Sequence, residues 1–352
     1  MKTIFYGVNG DGLGHASRTL AVIERLPECQ VHIFTYGKAY DYLKKLGYKH
    51  LHQIKGIMMP YNGYKINFIQ LAKCVINYYF NELSGNLKYI QEQDELLKPS
   101  LYITDFEPAI ARAAKLTNKK LISIDNQRIL SFRDTIKLPM SVRFHTWLLG
   151  ILAIAMVPKP DHIILATFYW DLIKSKYEDI TLTNGFIRKD VEKLHPINGN
   201  FVLLYLRHSI GDKILSTIKD LPYRFVVFGS NDSNLKRQLA SKGNVNFFEL
   251  SPNFADYLVS CRCIISTAGN QLLTETRYHN KPIMAIPEPN QYEQVINAYY
   301  NAQYDRRFKV YNIKELTSKE VSNFIEWSYP LENPQTVPNG VYKAVEVIRK
   351  YL

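Results

Sequence analysis

Short apolar runs alternate with amphipathic stretches along most of this chain, and the alternation starts afresh after Asn198, Gly199 and Asn200. Segments 3–8, 31–35, 50–57, 100–105, 120–124 and 162–166 read as strands. Helical periodicity at 15–26, 38–46, 68–93 and 107–116 fills the intervals between them. A strand-then-helix rhythm predicts a parallel, doubly wound α/β sheet, because parallel neighbours need a crossover and a helix supplies it. In the second half, strands are expected at 201–206, 224–228, 245–249 and 263–266, and helices at 211–219, 234–241 and 254–261. The chain therefore divides into two similar units, read as 1–186 and 187–338, with no low-complexity tract or short-period repeat.

Composition narrows what those units do. A length of 352 residues suits two domains, and 46% hydrophobic residues supply a core for each. The four cysteines, Cys29, Cys74, Cys261 and Cys263, form no C-x-x-C pair. They read as reduced thiols of a cytosolic protein, not as a zinc site or disulfide framework. The N-terminus runs straight into a strand and a glycine loop, so no signal peptide is expected. A net charge of +12 suits nucleic acid, an anionic membrane surface or a diphosphate substrate. Nucleic acid fits worst, since the basic residues are dispersed and no binding motif appears. The apolar run 147–157 is too short to span a bilayer, which needs about 20 residues. A buried core helix is the preferred reading of that run. The alternative is an interfacial helix beside Arg143, His145 and Lys159.

Two stretches carry chemistry. Residues 266–298 read as a strand end, a glycine turn, a helix, a short buried strand and a polar loop opening a second helix. Gly269, with Asn270 beside it, starts the first of these helices and makes an anion site of its backbone amides. Glu275 follows six residues after Gly269, where a carboxylate can accept from two adjacent sugar hydroxyls. Gln294 can both donate to and accept from a hexose. The other stretch is the loop Gly10, Gly12, Gly14 after the first strand, followed by His15. It superficially matches a dinucleotide fingerprint, but His15 stands where the third glycine belongs and no acidic residue ends the second strand. That argues against a NAD or FAD enzyme. Asp105 ends the strand 101–105 and reads as the N-cap of the helix that follows or as a partner for a histidine base. Asp125, Asn126 and Gln127 form a polar turn after the next strand.

The ordered set Ser266, Gly269, Glu275, Pro282, Pro287, Glu293, Gln294, Asn297 and Ala298 resembles the donor half of GT-B glycosyltransferases. It is most similar to the N-acetylglucosaminyltransferase family that completes lipid II, with related bacterial and archaeal enzymes. The Gly14–His15 step resembles the N-terminal mark of the same families. The resemblance implies an α/β GT-B fold: two Rossmann-like doubly wound domains with a cleft between them, and a last helix, about 339–352, returning to the first domain. It implies a general base at His15 oriented by Asp105, with Glu107 as a rival base, and Gly12, Arg18, Glu107, Asn126 and Gln127 on the acceptor side. Residues 58–80 are expected to shape that side too. Gly14, Arg188, Arg207, Ser209, Gly229, Gly269, Asn270, Glu275, Glu293, Gln294 and Asn297 are implied on the donor side. Here the sequence departs from the family: 183–188 lacks the usual proline, and Arg207 and His208 replace leading glycines.

The implied reaction moves a hexose or N-acetylhexosamine from a UDP-sugar to a hydroxyl acceptor, namely a glycolipid, lipid carrier or cell-surface polysaccharide precursor. No D-x-D triplet occurs, and Thr267 stands where the Glu-x7-Glu pattern of many retaining relatives needs its first glutamate. Both favour an inverting, metal-independent reaction with no cofactor. Partners are then the donor, the acceptor and, for a lipid-linked acceptor, an anionic membrane on the cytoplasmic side. A UDP-sugar 2-epimerase and a non-catalytic nucleotide-sugar-binding protein are the alternatives.

Overall fold

The computed structural model describes residues 1–62, 65–132, 140–167, 179–206, 210–229, 234–249, 253–328 and 337–352. The first half runs β1 (Lys2–Val8), α1 (Leu13–Ile23), β2 (Cys29–Thr35), α2 (Gly37–Lys45), β3 (Leu51–Gln53), β4 (Tyr61–Asn62) and β5 (Lys65–Ile66). Helix α3 (Phe68–Asn77) passes through a π-helical turn (Tyr78–Glu82) into α4 (Leu83–Leu97). Then come β6 (Leu101–Asp105), α5 (Pro108–Leu116), β7 (Leu121–Asp125), α6 (Ile129–Phe132), α7 (Met140–Met156), β8 (His162–Ala166) and β9 (Ile180–Thr183). The second half opens with α8 (Lys189–Glu192), β10 (Phe201–Tyr205), α9 (Gly211–Ile218), β11 (Arg224–Phe228), α10 (Asn234–Ala240) and β12 (Val245–Phe248). It continues with α11 (Phe254–Ser260), β13 (Cys263–Ser266), α12 (Asn270–Tyr278), β14 (Ile283–Ala285) and α13 (Tyr292–Tyr304). The last elements are β15 (Phe308–Val310), α14 (Ser318–Trp327) and α15 (Val341–Tyr351).

Two compact units result. Unit 1 is Met1–Pro60, Asn67–Arg188 and Asn339–Leu352, and unit 2 is Tyr61–Ile66 and Lys189–Pro338. Unit 1 holds a seven-stranded sheet in the order β3-β2-β1-β6-β7-β8-β9, parallel throughout. Unit 2 holds a six-stranded parallel sheet in the order β12-β11-β10-β13-β14-β15. In each sheet the chain winds outward one way and then the other. The order therefore reverses between β1 and β6 in unit 1, and between β10 and β13 in unit 2. Such switch points open a crevice at the carboxyl ends of the strands, which is where doubly wound sheets bind ligands.

The alternation along β1 explains the layering. Ile4, Tyr6 and Val8 face one core with Ala16 and Val22 of α1 and Val345 and Ile348 of α15. Phe5 faces the other, with Tyr102, Ile90 of α4 and Ala109 and Ala113 of α5. Gly7 shares that second face, and a Cβ there would sit 2.6 Å from Ile110 Cβ, so the glycine lets α5 lie against the strand. In unit 2, Val202, Leu204, Val227 and Ile265 pack under Ile214 and Ile218 of α9 and Phe324 of α14.

One reading gains detail and one changes. The stretch expected to be helical over 68–93 is helical from Phe68 to Leu97, with a π-helical turn inside it that carries Tyr78 inward to 1% exposure. Its neighbour Tyr79 meets Arg112 of α5, with the hydroxyl 3.2 Å from Arg112 Nη2. The apolar run 147–157, expected as a buried core helix, is buried on one face only, through Gly150, Ala153 and Val157. Gly150 of α7 backs closely onto α6, and Ser131 Oγ donates to the Gly150 carbonyl at 2.9 Å. This small-residue contact leaves Trp147 59% exposed and Ile151, Leu152 and Ile154 in solvent. Among the described residues no helix is long and apolar enough to cross a membrane.

Candidate active site

The switch point of unit 1 gathers a charged cluster. Register pairs Val8 with Asp105, and Asn9 N donates to the Asp105 carbonyl at 3.0 Å, so the ends of β1 and β6 are tied together. Gly12 is the N-cap of α1 and Gly14 lies in its first turn, which presents His15 toward β6. His15 Nδ1 lies 2.7 Å from Asp105 Oδ1, with the imidazole 15% exposed and the carboxylate fully buried. Arg18, one turn further along α1, donates from Nε to Asp105 Oδ2 at 2.8 Å and from Nη2 to Oδ1 at 2.5 Å. Burial alone would push the Asp105 carboxyl up, but Arg18 and His15 outweigh it and hold the group below its ordinary value.

The loop around this cluster is braced from several sides. Asn9 Oδ1 accepts from Asp11 N at 3.1 Å, and Asp11 Oδ1 accepts from Met59 N at 3.0 Å. Gly10 has no room for a side chain, since a Cβ would fall 2.0 Å from the Tyr36 carbonyl. Phe106, just after β6, takes a left-handed φ of 57°. Glu107, not Asp105, is the N-cap of α5: its carboxylate accepts from Ala109 N at 2.8 Å and Ile110 N at 2.7 Å. It is fully buried, and burial raises its carboxyl to about 7 against the pull of those two amides. Asp125 ends β7, buried and hydrogen-bonded by Ser123 Oγ at 2.7 Å and Arg128 N at 2.7 Å, with burial raising its carboxyl too. Asn126 is buried beside it, and Gln127 Oε1 accepts from Asn126 N at 3.4 Å. Arg188, in the last residue of the unit's middle segment, donates from Nη1 to Tyr42 OH at 3.2 Å.

The switch point of unit 2 has different chemistry. Ser266 Oγ donates to the Tyr205 carbonyl at 2.7 Å, joining the ends of β13 and β10. Gly269 is the N-cap of α12 and supplies no side-chain cap, so the first-turn amides are available for an anion. A Cβ on Gly269 would meet nothing within 4 Å, so a group can approach this turn closely. Asn270 is 9% exposed, and its Oδ1 has no partner among the described residues. Glu275 lies on the same helix at 6% exposure, its Oε1 accepting from Gln271 Nε2 at 3.0 Å. Asn297 of α13 donates to the Ala268 carbonyl at 3.3 Å and steadies the glycine turn. Gln294 is buried, and its amide is held by Glu288: Oε1 accepts from Glu288 N at 2.9 Å and Nε2 donates to Oε2 at 2.8 Å. Glu293 on the same turn is half-buried. Gly229 follows β11 at a φ of 78°, where a Cβ would lie 2.4 Å from the Leu206 carbonyl. Arg207 and Ser209 lie outside the described residues.

The structure thus brings His15, Asp105 and Arg18 together in unit 1, and Gly269, Asn270, Glu275 and Asn297 together in unit 2. Sequence reading did not anticipate Glu288 as the partner of Gln294, nor the bonds of Arg18, named there on the acceptor side, to Asp105. Three-residue spacing from His15 puts Arg18 on the same helix face and is the signal for its place. Among the described residues, no group of three or more His, Cys, Asp or Glu is arranged to hold a metal ion.

Two doubly wound parallel sheets with ligand-type switch points define a two-domain GT-B chain. Solved glycosyltransferases share this fold. MurG of Acinetobacter baumannii is 15% identical with a TM-score of 0.59, over 99% of this chain and 100% of that one. The glycosyltransferase of kitacinnamycin is 14% identical with a TM-score of 0.66, over 99% of each chain. UGT89C1 of Arabidopsis thaliana, solved in complex with UDP, is 10% identical with a TM-score of 0.66 over the full length of both. At these identities the likeness speaks for the fold alone. No curated protein matches the chain. A family model described as glycosyl transferase family 1 matches residues 2–327, so the chain belongs to that family and is a glycosyltransferase.

Proposed function

We propose that this glycosyltransferase is inverting and metal-independent, moving a hexose or N-acetylhexosamine from a UDP-sugar to a hydroxyl of a glycolipid, lipid carrier or polysaccharide precursor. The carrying observation is the 2.7 Å contact between His15 Nδ1 and the buried Asp105 carboxylate at the unit 1 switch point. A carboxylate accepts only, so it draws the imidazole proton to Nδ1 and leaves a lone pair on Nε2. In the reaction, Nε2 takes the acceptor hydroxyl proton while that oxygen bonds to the anomeric carbon. The bond from that carbon to the diphosphate breaks, the nucleotide leaves with the electron pair, and configuration inverts. Asp105 stabilises the imidazolium so formed. Uncapped amides at the start of α12, with Arg188 and Arg207, are assigned to the diphosphate in place of a divalent metal. Glu275 is assigned to the ribose, and Glu293 and Gln294 to the sugar hydroxyls. Uridine is supported by the UDP bound in the Arabidopsis protein of the same fold.

Thermal shift with UDP, dTDP, GDP, CDP and NAD, without metal, tests the donor. Stabilisation by UDP that disappears in Glu275→Ala is expected; stabilisation by NAD alone would overturn the reading. With a UDP-sugar turned over, His15→Ala should lower kcat by ~10²- to 10⁴-fold with UDP affinity kept. Turnover unchanged in that variant removes His15 as base, and activity abolished by a chelator removes metal independence.

The surface of unit 1 favours a lipid-linked acceptor. Helix α3 buries none of its residues, and Phe80, in the π-helical turn, is 81% exposed. Ile69 and Ile76 of α3 and Phe144 and Trp147 of α7 are also exposed. Exposed apolar side chains on this scale mark an interaction surface, and the +12 charge matches anionic lipid. Co-sedimentation with anionic vesicles, weakened by Phe80→Ser with Trp147→Ser, is the expected result. No binding to such vesicles would sink it.

A further inference from the structure

We infer that Arg18 is a positioning residue that acts through Asp105 to hold the His15 proton on Nδ1, leaving Nε2 free to receive the acceptor proton. The inference rests on His15 being the base proposed above. It also moves Arg18 away from acceptor contact, because the side chain is 4% exposed and its Nε and Nη2 are turned inward on Asp105.

The argument begins with a fully buried carboxyl. Burial disfavours the charged form, so Asp105 without a cation would tend to keep its proton. A protonated Asp105 would donate its O–H to His15 Nδ1, which would place the imidazole proton on Nε2. That tautomer has no lone pair toward the acceptor, and catalysis by the base would stop. Arg18 removes this possibility. Its fork supplies N–H donors to both oxygens, at 2.8 Å to Oδ2 and 2.5 Å to Oδ1, so Asp105 is held as the carboxylate and can only accept from His15. Two hydrogen arrangements then compete at the third contact, where Arg18 Nη2 lies 3.1 Å from His15 Nδ1. Were Nη2 to donate to an Nδ1 lone pair, that lone pair would also face the carboxylate Oδ1 across 2.7 Å, which is repulsive. With Nδ1 protonated, the 2.7 Å contact is a donor meeting an acceptor, and Arg18 Nη2, which can only donate, gives its hydrogen to Asp105 Oδ1 at 2.5 Å rather than to Nδ1. The positions are set by the chain itself. His15 and Arg18 are one turn apart on α1, and the Val8–Asp105 register fixes the carboxylate beneath them.

The test reads the tautomer directly, by nitrogen NMR of isotope-labelled imidazoles, with His15→Ala identifying the resonances. The full chain is expected to show His15 protonated at Nδ1, and R18M to show a move toward Nε2–H. In R18M, kcat should fall on the order of 10²-fold while acceptor KM stays within about twofold. The same substitution in a D105N background should cost little more, because its route is already gone. An unchanged tautomer in R18M, or a raised acceptor KM with kcat kept, overturns the inference. Should R18M fail to fold, R18K decides: lowered kcat at constant KM supports it, raised KM at constant kcat overturns it. Full turnover in H15A would instead defeat the base assignment, while the tautomer measurement still judges Arg18 on its own.

Discussion

Both carboxylate oxygens of Glu107 accept amides from the first turn of α5, in a fully buried site. The group titrates at about 7 in the fold against an ordinary 4.5, so the folded chain binds the extra proton between those values. Stability from this group is therefore present in full below 4.5 and falls as pH rises to about 7. Glu107→Gln removes that titration and leaves one amide facing a nitrogen that cannot accept, at a cost of ~1–3 kcal/mol. Urea unfolding should show the variant less stable, with the deficit larger at pH ~5 than at pH ~8. A deficit that grows with pH would refute the assignment. Proline favours the first helical position, so Pro108 pointed to Glu107 as the cap, where the sequence reading had offered the cap to Asp105 as one of its two alternative roles. The contact between His15 and Asp105 spans 90 residues, and nothing in their local spacing declares it; only the family resemblance joined them. The Gln294–Glu288 pairing was equally hidden, because six-residue spacing across a loop does not say which polar side chains the loop turns toward one another.

At the scale of elements, β2 and β3 carry a histidine ladder that the proposed chemistry does not use. His32 Nδ1 lies 2.9 Å from His52 Nε2, and His52 Nδ1 lies 2.8 Å from Tyr89 OH on α4. His50 lies tilted at a centroid distance of 4.7 Å from His32, and Phe34 stacks on His52 at 4.4 Å. Burial, with His52 and His50 beside it, lowers His32 to about 4 from an ordinary 6.5. The unfolded chain binds this proton first, so stability is lost as pH falls through the window from 6.5 to about 4. Replacing His32 by Phe, which suits the aromatic contacts around it, should flatten the decline of Tm across that window. An identical acid limb in the variant would show that other groups set it. Elements of this kind were legible where patterning decided them: the central strands β1, β6, β10 and β13 fall where the apolar runs stand. The exposed face of α7 was not, because an apolar run looks the same whether it is covered by protein or left open. The break after α3 was not legible either, since a π-helical turn changes the face by one residue without a proline or glycine to announce it.

The whole molecule repeats one architecture twice, and the restart after residue 200 was readable because a parallel sheet imposes its rhythm on each half. Membership of the last helix was not readable in that way, since an amphipathic helix fits either sheet. Its place in unit 1 depends on a few contacts. Asn339 Oδ1 accepts from Ile187 N at 3.0 Å, and its Nδ2 returns a bond to the Ile187 carbonyl at 2.9 Å. Gly340 follows where a Cβ would lie 1.9 Å from the Asn184 carbonyl, so no other residue seats the helix as closely. Val341, Val345 and Ile348 then enter the core beside Ile4, Val22 and Ile164. Each such burial stabilises by ~1.5–3 kcal/mol, against a total of ~5–15 kcal/mol for an ordinary domain. Removing residues 339–352 should therefore unfold unit 1, read as early proteolysis within β1 to β9 and loss of turnover. Gly340→Ala is the milder form, expected to cost ~1–3 kcal/mol through overpacking against the Asn184 backbone. An unchanged Tm in the shortened chain would mean that the seven-stranded sheet holds its face without α15, and that its apolar stripe serves something other than the core.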